Sequence, residues 1–446
     1  MSLAPLKVGI DGFNLAMPDG TGVASYGRSL GTAIKGLGGE LHGLFAAEVT
    51  RATPPILREI LFYESLDPPP APQRRWPPQS LRDALQFGRY AVETPLTGHV
   101  DSGSFRDRLP PFDRILAAPD LFERAMRSFR RSKRFLTIRV PDPPPIMHWT
   151  YPLPLRMAGA RNIYTVHDLV PLKLPHTTLD RKRLHFRLVN QCLQSADRIV
   201  TVSETSRRDI LSLFPRTRPD LVVNTYQALP DFTLQPRSEA ELRWELKSLH
   251  NLHYRGYFLF FGAIEPKKNV GRMLQAYLAA GLDTPLVLVG ARAWKSESEL
   301  KPIAHGPARV RRMDYLPRSQ LTRLIRGARA VVFPSLYEGF GLPALEAMAL
   351  GAPMLTSTAG SLPEVVGDAA MLVDPYDVSA MTEAFRTLDA DRALRERLSA
   401  AGLARAEVFS MAAYQARLSV LYRDILAAAP RRTRPRTPDA RLDEPS

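Results

Sequence analysis

The chain has 446 residues, of which 45% are hydrophobic, and it carries a formal net charge of +15. That length is too great for one ordinary core and suits two domains, each able to bury a core of its own. Cys192 is the only cysteine, which excludes a disulfide framework and a cysteine-based zinc site. Because it lies in a long helical pattern, we expect a small core residue and not a nucleophile.

The positive charge predicts either attraction to an anionic partner, such as the acidic face of a membrane, or a solvated arginine-rich surface. A nucleic-acid-binding surface is the weaker interpretation, because the basic residues are spread out and are not interleaved with aromatic ones. The sequence shows neither a signal-peptide pattern at its start nor an apolar run of about 18 residues. We therefore expect a cytoplasmic protein without a transmembrane helix, and the charge leaves peripheral attachment to the inner membrane open.

The first half of the chain alternates short apolar strands with amphipathic helices. We predict a strand at residues 6–12, a helix at 20–37 that begins in a glycine-containing turn, and a second strand at 41–47. After residue 145 the alternation resumes, with predicted strands at 162–168, 198–203 and 221–226. Near-continuous apolar strands separated by helices indicate a parallel, doubly wound sheet.

Residues 48–145 break this pattern. Proline and arginine are frequent there, with the tracts PPPAP at 68–72 and PDPPP at 141–145. Such tracts favour extended loops, with short helices such as 120–132 between them. We interpret the segment as an insertion into the N-terminal domain.

A second alternating series begins at residue 257. Its predicted strands lie at 257–262, 286–290, 310–316, 330–335, 353–357 and 370–373, and its predicted helices at 270–280, 319–328, 342–350, 378–389, 392–408 and 411–428, the last with Ser410 as N-cap. The sequence thus predicts an α/β protein with a Rossmann-like domain at 1–228, a linker and a second such domain at 229–428, and a disordered tail at 429–446. Because ligands of such sheets bind beyond the carboxyl ends of the strands, two facing sheets predict a ligand cleft.

The most informative stretch is FPSLYEGFGLPALEAMALGAP, residues 333–353. A buried strand ends there in a loop with Gly339 and Gly341, and a helix begins near Leu342. Glycines before a helix N-terminus let backbone N–H groups approach an anion, which the helix dipole also favours. Glu338 in the loop and Glu346 one turn into the helix are acceptors suited to sugar hydroxyls. The residues alone also allow a structural role, in which Glu338 caps the helix and Glu346 pairs with an arginine.

The segment E-G-F-G-L-P, followed by a second glutamate eight positions after the first, resembles the E-x7-E donor-site signature of glycosyltransferase family 4. FLFFGAIEPKKN, residues 258–269, resembles the element G-x-x-E-P-[RK]-K-N of the same family, and SLPEVVG, residues 361–367, resembles a helix start near the donor sugar and phosphates. The matches follow the family's order and span the chain except residues 48–145 and the tail. The resemblance implies a GT-B fold with a nucleotide-sugar donor site in the C-terminal domain.

The resemblance also implies roles for single residues. Lys268 is the first candidate for contact with the leaving diphosphate and Lys267 the second, as point charges beside a buried strand; a solvated turn is the alternative. Glu338 would hold the sugar hydroxyls and Glu346 the ribose. The predicted donor-binding residues are Gly22, Lys267, Lys268, Glu338, Gly339, Phe340, Gly341, Leu342 and Glu346, and the predicted catalytic residues are His167, Glu338 and Lys268.

Two of these candidates lie in the N-terminal half. GTG at residues 20–22 corresponds to the family's glycine loop, which closes over the donor phosphates, so the resemblance implies Gly22. His167 ends the strand predicted at 162–168, where the family has a histidine that contacts the donor sugar; a satisfied core histidine is the alternative. One departure affects the donor site, because Ala263 stands where some relatives place a phosphate-binding arginine. Phosphate binding would then depend more on the two lysines.

By resemblance, the reaction retains the anomeric configuration and requires no metal ion or other cofactor, and we expect front-face displacement with electrostatic stabilisation of the leaving diphosphate. The motif forms look most like bacterial mannosyltransferases of surface-polysaccharide assembly. GDP-mannose is therefore the expected donor, with a UDP-hexose as the alternative, and the acceptor is expected to be a glycan or lipid-linked oligosaccharide. A nucleotide-sugar 2-epimerase needs no acceptor site, and a nucleic-acid-binding protein would leave the ordered motifs unexplained. Both stay less favoured alternatives.

Overall fold

The computed structural model describes residues 6–17, 22–67, 89–103, 105, 108–230, 238–291, 293–303, 309–314 and 316–429. Two predominantly parallel sheets, each accompanied by helices, form its framework. The predicted α/β class with two Rossmann-like sheets is confirmed. Residues 20 and 21 of the predicted glycine turn, and nearly all of the predicted tail, lie outside the described residues.

Among the described residues, the first sheet contains eight strands. In spatial order they are Val222–Asn224, Arg198–Thr201, Arg161–Val166, Ile146–Trp149, Lys7–Asp11, Glu40–Ala46, Arg114–Ala118 and Val92–Thr94. All neighbouring strands are parallel except the last pair, which is antiparallel. The central strand, Lys7–Asp11, is apolar and buried apart from its first residue and ends at Asp11, a buried carboxylate.

The interpretation of residues 48–145 as a loop-rich insertion is wrong for most of its described part. Arg114–Ala118 is a strand of the main sheet, paired in parallel with Glu40–Ala46. Three further short strands of the region, and two helices at Pro55–Leu66 and Leu121–Ser132, complete it. Most of the described prolines of the region, such as Pro110, Pro111 and Pro119, lie in the connections. The strand RILAA between them is too short to register as a periodic pattern. Its stability comes from pairing and burial in the sheet, which a local pattern does not record.

A small additional sheet of three parallel strands lies beside the first sheet. It joins Arg89–Tyr90, Leu136–Arg139 and Leu155–Met157. Two of these strands come from within residues 48–145, and the third follows Ile146. The segment is therefore an integral part of the N-terminal half and not a separate insertion.

The second sheet contains six parallel strands among the described residues. In spatial order they are Val310–Met313, Leu286–Val289, Phe258–Phe261, Ala330–Phe333, Met354–Ser357 and Met371–Val373. The three strands at its centre, 286–289, 258–261 and 330–333, are buried along their whole length. This burial explains why the sequence reads there as continuous apolar runs.

The described residues contain the helices predicted from the sequence and further ones that were not predicted, such as Pro55–Leu66 and Ser296–Leu300. They span Gly22–Gly36, Pro55–Leu66, Leu121–Ser132, Val170–Lys173, Lys182–Ser195, Glu204–Leu213, Glu239–His250, Val270–Ala280, Ser296–Leu300, Arg318–Gly327, Leu342–Ala349, Leu362–Val366, Val378–Ala390, Arg392–Ala406 and Met411–Ala427. Ser410 is the N-cap of the last helix as predicted, and its hydroxyl accepts from the Ala413 N–H at 3.4 Å. None of the helices in these parts of the chain has the length and apolar character that crossing a bilayer would require.

The last helix, Met411–Ala427, returns to the first sheet. The hydroxyl of Tyr422 lies 2.9 Å from Nδ1 of His148, and Nε2 of the same ring lies 2.9 Å from the hydroxyl of Thr165. Tyr26 of the first helix also contacts Thr165, at 3.0 Å. This buried polar cluster therefore ties the end of the chain to the N-terminal sheet.

We expect acid to destabilise the protein through His148. Burial lowers the pKa of this histidine to about 3, with a further small effect of His167, whereas an unfolded histidine titrates near 6.5. The stability contributed by the neutral ring is complete above pH 6.5 and is lost as the pH falls towards 3. Between pH 7 and pH 5 the loss should be about 2 kcal/mol in the free energy of unfolding.

The measurement is urea unfolding at both pH values for the wild type, His148→Gln and His176→Gln. His176 is exposed, so its variant should keep the wild-type pH dependence. His148→Gln removes the titrating group and should reduce the pH dependence by about 2 kcal/mol. Equal pH dependence in all three proteins would contradict the assignment.

Candidate functional site

A loop and a helix start form one side of the site at the carboxyl end of strand Ala330–Phe333. Gly341 has φ 99° and immediately precedes helix Leu342–Ala349. A Cβ on Gly341 would lie 2.7 Å from Leu362 Cδ2, so both the backbone angle and the space require glycine. Among the described residues no side chain caps this helix, and Pro343 occupies its first turn. The positive end of the helix is therefore available to an anion.

Glu338 and Lys268 form a buried ion pair beside this helix start. Lys268 Nζ donates to Glu338 Oε1 at 2.6 Å, and each side chain is only 11% exposed. Burial by itself raises the pKa of Glu338, but the charges of Lys268 and Lys267 outweigh it and hold that pKa below the ordinary value. Glu338 is thus an ionised carboxylate at neutral pH.

Hydrogen bonds to backbone carbonyl groups hold three segments of the site together. The Leu336 N–H donates to the carbonyl of Lys267 at 2.8 Å, and the Ser361 hydroxyl donates to the carbonyl of Glu338 at 2.9 Å. The segments 266–268, 335–341 and 360–362 therefore form one unit. These are the three segments in which the sequence analysis found family motifs.

Lys267 is the second cation of the site. Its Nζ lies 3.4 Å from Glu265 Oε1. Burial lowers the pKa of Lys267, but the charges of Glu338, Glu265 and Asp168 together raise it above the ordinary value. Lys267 therefore stays protonated at neutral pH and is available as a positive charge next to the loop.

Glu346 pairs with an arginine, as the structural alternative proposed. Arg318 Nη2 donates to Glu346 Oε1 at 2.7 Å, and Glu346 is 6% exposed. Burial raises the pKa of Glu346, and Arg318 opposes the rise without cancelling it. The companion alternative for Glu338 is wrong, because its carboxylate contacts Lys268 and not the helix N-terminus.

His167 follows strand Arg161–Val166 and faces the same region. Its Nε2 lies 2.8 Å from the carbonyl of Thr150, which can only accept, so Nε2 carries the proton and Nδ1 is an acceptor. Burial lowers the pKa of His167, against the opposing effects of this hydrogen bond and of Asp168. The ring is therefore neutral at pH 7. The Thr150 N–H in turn donates to Asp11 Oδ2 at 2.5 Å, so a buried carboxylate positions the histidine through one peptide group.

Gly339 is where the two halves of the site touch. A Cβ on Gly339 would lie 2.4 Å from the carbonyl oxygen of His167, a contact that no other residue type could make without displacement. The Ser203 hydroxyl donates to the carbonyl of Gly339 at 2.6 Å, and the Ser206 hydroxyl donates to that of His167 at 2.7 Å. The structure therefore brings His167 against the glycine loop, as predicted for residues of one cleft.

Three of the predicted donor-binding residues place no side chain in the site. The Phe340 ring packs into the core against Phe409 at 5.3 Å and Tyr226 at 6.5 Å, so only its backbone faces the loop. Leu342 is half-buried against the same core. Gly22 begins the first helix, is exposed, and has no atom within 4 Å of the place of a Cβ.

Two glycines at neighbouring strand ends were absent from the predicted site. Gly262 has φ 136° and Gly290 has φ 153°, and a Cβ on Gly290 would lie 2.0 Å from the carbonyl oxygen of Gly262. Both follow directly on buried strands, at 258–261 and 286–289. A glycine immediately after an apolar strand was the available signal, but many turns share it.

The sequence analysis also missed Glu364, which joins the two halves of the protein. Its carboxylate accepts from the N–H groups of Glu204 at 2.7 Å and Thr205 at 3.0 Å, at the start of helix Glu204–Leu213. A carboxylate is stabilised at this end of a helix. Its partners are about 160 residues away in the sequence, so no local pattern could have identified them.

Metal binding has no site of its own in the described parts of the chain. No group of three or more histidine, cysteine, aspartate or glutamate side chains there is placed to hold an ion. That the reaction needs no metal stays a prediction.

Comparison with known proteins identifies relatives along most of the chain. The family described as glycosyl transferases group 1 matches residues 244–405. O-antigen chain mannosyltransferase B of Escherichia coli is 38% identical over 265 residues, which cover 58% of this chain and 68% of that protein. Sucrose-phosphate synthase from Thermosynechococcus elongatus has a TM-score of 0.62 at 18% identity, over 95% of this chain and 100% of that structure. Anabaena HepE in complex with UDP and glucose has a TM-score of 0.63 at 14% identity, over 94% of this chain and 100% of that structure. The predicted GT-B fold is confirmed.

We expect Lys268→Met to destabilise the protein more than its lost contacts would suggest. The variant leaves Glu338 as a buried charge without its closest partner, and breaking such a pair costs roughly 3 kcal/mol. The double variant Lys268→Met, Glu338→Gln removes both charges and should recover most of that loss. Urea unfolding of the two single variants and the double variant at pH 7 measures the coupling.

The matched control is Arg392→Met, which removes one partner of the exposed pair Arg392–Glu396. It should leave the free energy of unfolding almost unchanged, because solvent screens exposed pairs. Purely additive effects of the two substitutions at 268 and 338 would show that the pair is not energetically coupled.

Proposed function

Because the chain belongs to the glycosyl transferases group 1 family, we propose that it transfers mannose from GDP-mannose to a glycan or lipid-linked oligosaccharide acceptor in surface-polysaccharide assembly. The observation that carries the proposal is the buried pair Lys268–Glu338 beside the uncapped helix at Leu342. A carboxylate for hydroxyls and positive charge for phosphates are what a nucleotide sugar needs. The similarity to an O-antigen mannosyltransferase supports mannose as the sugar.

The roles of the donor-site residues follow from their charges. Lys268, Lys267 and the N–H groups at the start of helix Leu342–Ala349 stabilise the negative charge that develops on the leaving diphosphate. Glu338 accepts hydrogen bonds from the sugar hydroxyls, and Glu346 accepts them from the ribose. Both carboxylates are already held by cations, so little reorganisation is needed when a donor binds.

The reaction has a simple balance of bonds. The bond between the anomeric carbon and the diphosphate oxygen breaks, and that oxygen keeps the electron pair. A bond forms between the anomeric carbon and the acceptor hydroxyl oxygen on the same face, which retains the configuration. The hydroxyl proton passes to the departing diphosphate. No group of this chain forms a covalent intermediate in this scheme. The neutral ring of His167, which is held by its hydrogen bond to the Thr150 carbonyl, contacts the donor sugar.

A UDP-hexose is the second candidate donor. The groups named here meet the sugar, the phosphates and the ribose, which both kinds of donor contain, and none of them contacts the base. A lipid-linked acceptor would place the protein at the inner membrane, where the net charge of +15 favours association with acidic lipids. Glycosyltransferase family 4 is the finer classification that we propose for the chain.

We expect GDP-mannose to stabilise the folded protein. A ligand that binds only the folded state adds about 2.7 kcal/mol to its stability at one hundred times the dissociation constant. Thermal unfolding with a panel of nucleotide sugars tests the donor, together with slow hydrolysis of each sugar without acceptor. Glu338→Ala and Lys268→Ala should abolish both responses, each variant being compared with its own ligand-free melting temperature.

Lys301→Ala is the control, because Lys301 is an exposed cation of the same domain; it should respond like the wild type. Stabilisation by UDP-sugars in place of GDP-mannose would keep the enzyme class and overturn the mannose assignment. If no nucleotide sugar stabilises the wild type, the proposed activity is wrong and nucleic-acid binding becomes the next test.

The proposed stereochemistry and metal independence have their own test. Nuclear magnetic resonance of the first product should show the anomeric configuration of the donor. Transfer should also persist at an unchanged rate after dialysis against EDTA, because the cations Lys267 and Lys268 occupy the place where a metal would neutralise the diphosphate. An inverted product, or activity that returns only with Mg²⁺ or Mn²⁺, would contradict this mechanism.

A further inference from the structure

Tyr337 lies directly before Glu338 in the loop that follows strand Ala330–Phe333. It is only 6% exposed, yet among the described residues it is a member of none of the hydrophobic core clusters. Its side chain meets charged groups of the N-terminal half instead. Lys173 Nζ lies 5.1 Å from the centroid of the ring, and the hydroxyl donates to Asp209. The burial of Tyr337 therefore serves a contact between the two halves of the protein.

Asp209 accepts hydrogen bonds from two side chains that lie far apart in the sequence. It is buried in helix Glu204–Leu213. Its Oδ1 accepts from Lys173 Nζ at 2.5 Å, and its Oδ2 accepts from the Tyr337 hydroxyl. Burial raises the pKa of Tyr337, and the hydrogen bond to Asp209 and its negative charge raise that pKa further, so the hydroxyl keeps the proton that it donates. A hydrogen bond to a carboxylate is stronger than one between neutral groups, so this contact holds Tyr337 firmly.

Helix Glu204–Leu213 also holds the backbone on the other side of Glu338. The hydroxyl of Ser203, the N-cap of this helix, donates to the carbonyl of Gly339 at 2.6 Å. The residues before and after Glu338 are thus both bound to the N-terminal half. The backbone of Glu338 itself packs directly against Gly360, where a Cβ would lie 2.8 Å from its N and O atoms. The place of the Glu338 carboxylate is therefore set in part from the N-terminal half.

We propose that Tyr337 is a positioning residue for the donor sugar, because its hydrogen bond to Asp209 holds Glu338 where the sugar hydroxyls donate to it. The proposal rests on the glycosyl transfer proposed above and on the role given there to Glu338. Tyr337 contacts no part of the donor in this scheme and acts through the peptide group that joins it to Glu338. Lys173 fixes Asp209 in turn, so the N-terminal half determines how tightly the loop of the C-terminal half binds the sugar.

The phosphates and the ribose of the donor do not depend on this chain of contacts. The two lysines and the helix N-terminus of the donor site belong to the C-terminal half, and Arg318 of the same half holds Glu346 at 2.7 Å. Loss of the Tyr337 hydroxyl should therefore weaken the sugar contacts and leave the nucleotide contacts in place. A general loss of structure would weaken both alike. A comparison of GDP with GDP-mannose thus separates positioning from a merely structural role.

The experiment compares the full-length wild type with Tyr337→Phe, Asp209→Asn, the double variant and the control Tyr277→Phe. Tyr277 is a matched control because it is also buried and its hydroxyl also donates a hydrogen bond, to the carbonyl of Thr284 within the C-terminal half. Isothermal titration calorimetry measures the Kd of GDP and of GDP-mannose for each protein. Hydrogen exchange with mass spectrometry follows the backbone amides of residues 336–341 without any ligand. Circular dichroism checks that each variant is folded.

We expect Tyr337→Phe to raise the Kd of GDP-mannose about tenfold, which is the effect of losing one hydrogen bond to a charged group. The Kd of GDP should stay within about twofold of the wild type, because the lysines that face its phosphates keep their charge. Asp209→Asn should act in the same direction, and the double variant should resemble the weaker-binding single variant, since both changes remove one shared contact. The amides of residues 336–341 should exchange faster in all three variants. Tyr277→Phe should match the wild type in the calorimetry and in the exchange of this segment.

A Kd of GDP-mannose that Tyr337→Phe leaves unchanged overturns the positioning role, and so does unchanged amide exchange in that variant. Equal rises in the Kd of GDP and of GDP-mannose also overturn it, because the hydroxyl would then support the whole site and not the sugar contact.

The two proposals fail in different ways. If the variants speed up amide exchange in residues 336–341 but no nucleotide sugar binds the wild type, the proposed function fails and the hold of Asp209 on the loop stands. If GDP-mannose binds the wild type and every variant equally well, the proposed function stands and the positioning role fails.

Discussion

Lys268 and Glu338 meet as opposite charges in a region that excludes most water, and the arrangement of the donor loops depends on that contact. Two charges are removed from water there, and their attraction offsets the loss only if the geometry is held closely. Side-chain hydrogen bonds to the backbone hold this geometry, because the Ser361 hydroxyl donates to the carbonyl of Glu338. Asn269 adds a further tie, since its amide donates to the carbonyls of Pro334 at 3.1 Å and Pro375 at 2.6 Å. The motif residues therefore hold one ion pair in place, in addition to the ligand contacts that we propose for them.

The second constraint is the close contact between the two halves of the protein. Gly339 lies against His167 without room for a side chain, and Glu364 receives the N-terminus of the opposite helix at Thr205. Tyr337 also donates to Asp209, a carboxylate that Lys173 pairs with as well. Because these contacts join residues on both sides of the cleft, any change in the angle between the sheets alters the donor site at the same time.

Charges of both signs meet in the candidate site. Lys267 and Lys268 lie beside the carboxylate of Glu338 and the N-terminus of helix Leu342–Ala349. His167 faces the same region and is kept uncharged by burial. Positive charge and hydrogen-bond acceptors are therefore close together, a combination that suits a ligand with both phosphate and hydroxyl groups.

The sequence by itself determined the two alternating series, the helix Val270–Ala280 with its observed bounds, and the loops that carry Lys268 and Glu338. Such features depend on residues close together in the chain, where periodicity, glycines and caps act directly. Only the tertiary structure decided that Arg114–Ala118 is a strand of the main sheet, that Arg318 pairs with Glu346, and that the last helix packs on His148. Each of these depends on a partner far along the chain, and pairing across such distances is selected by burial and packing of the whole fold, which no local pattern contains.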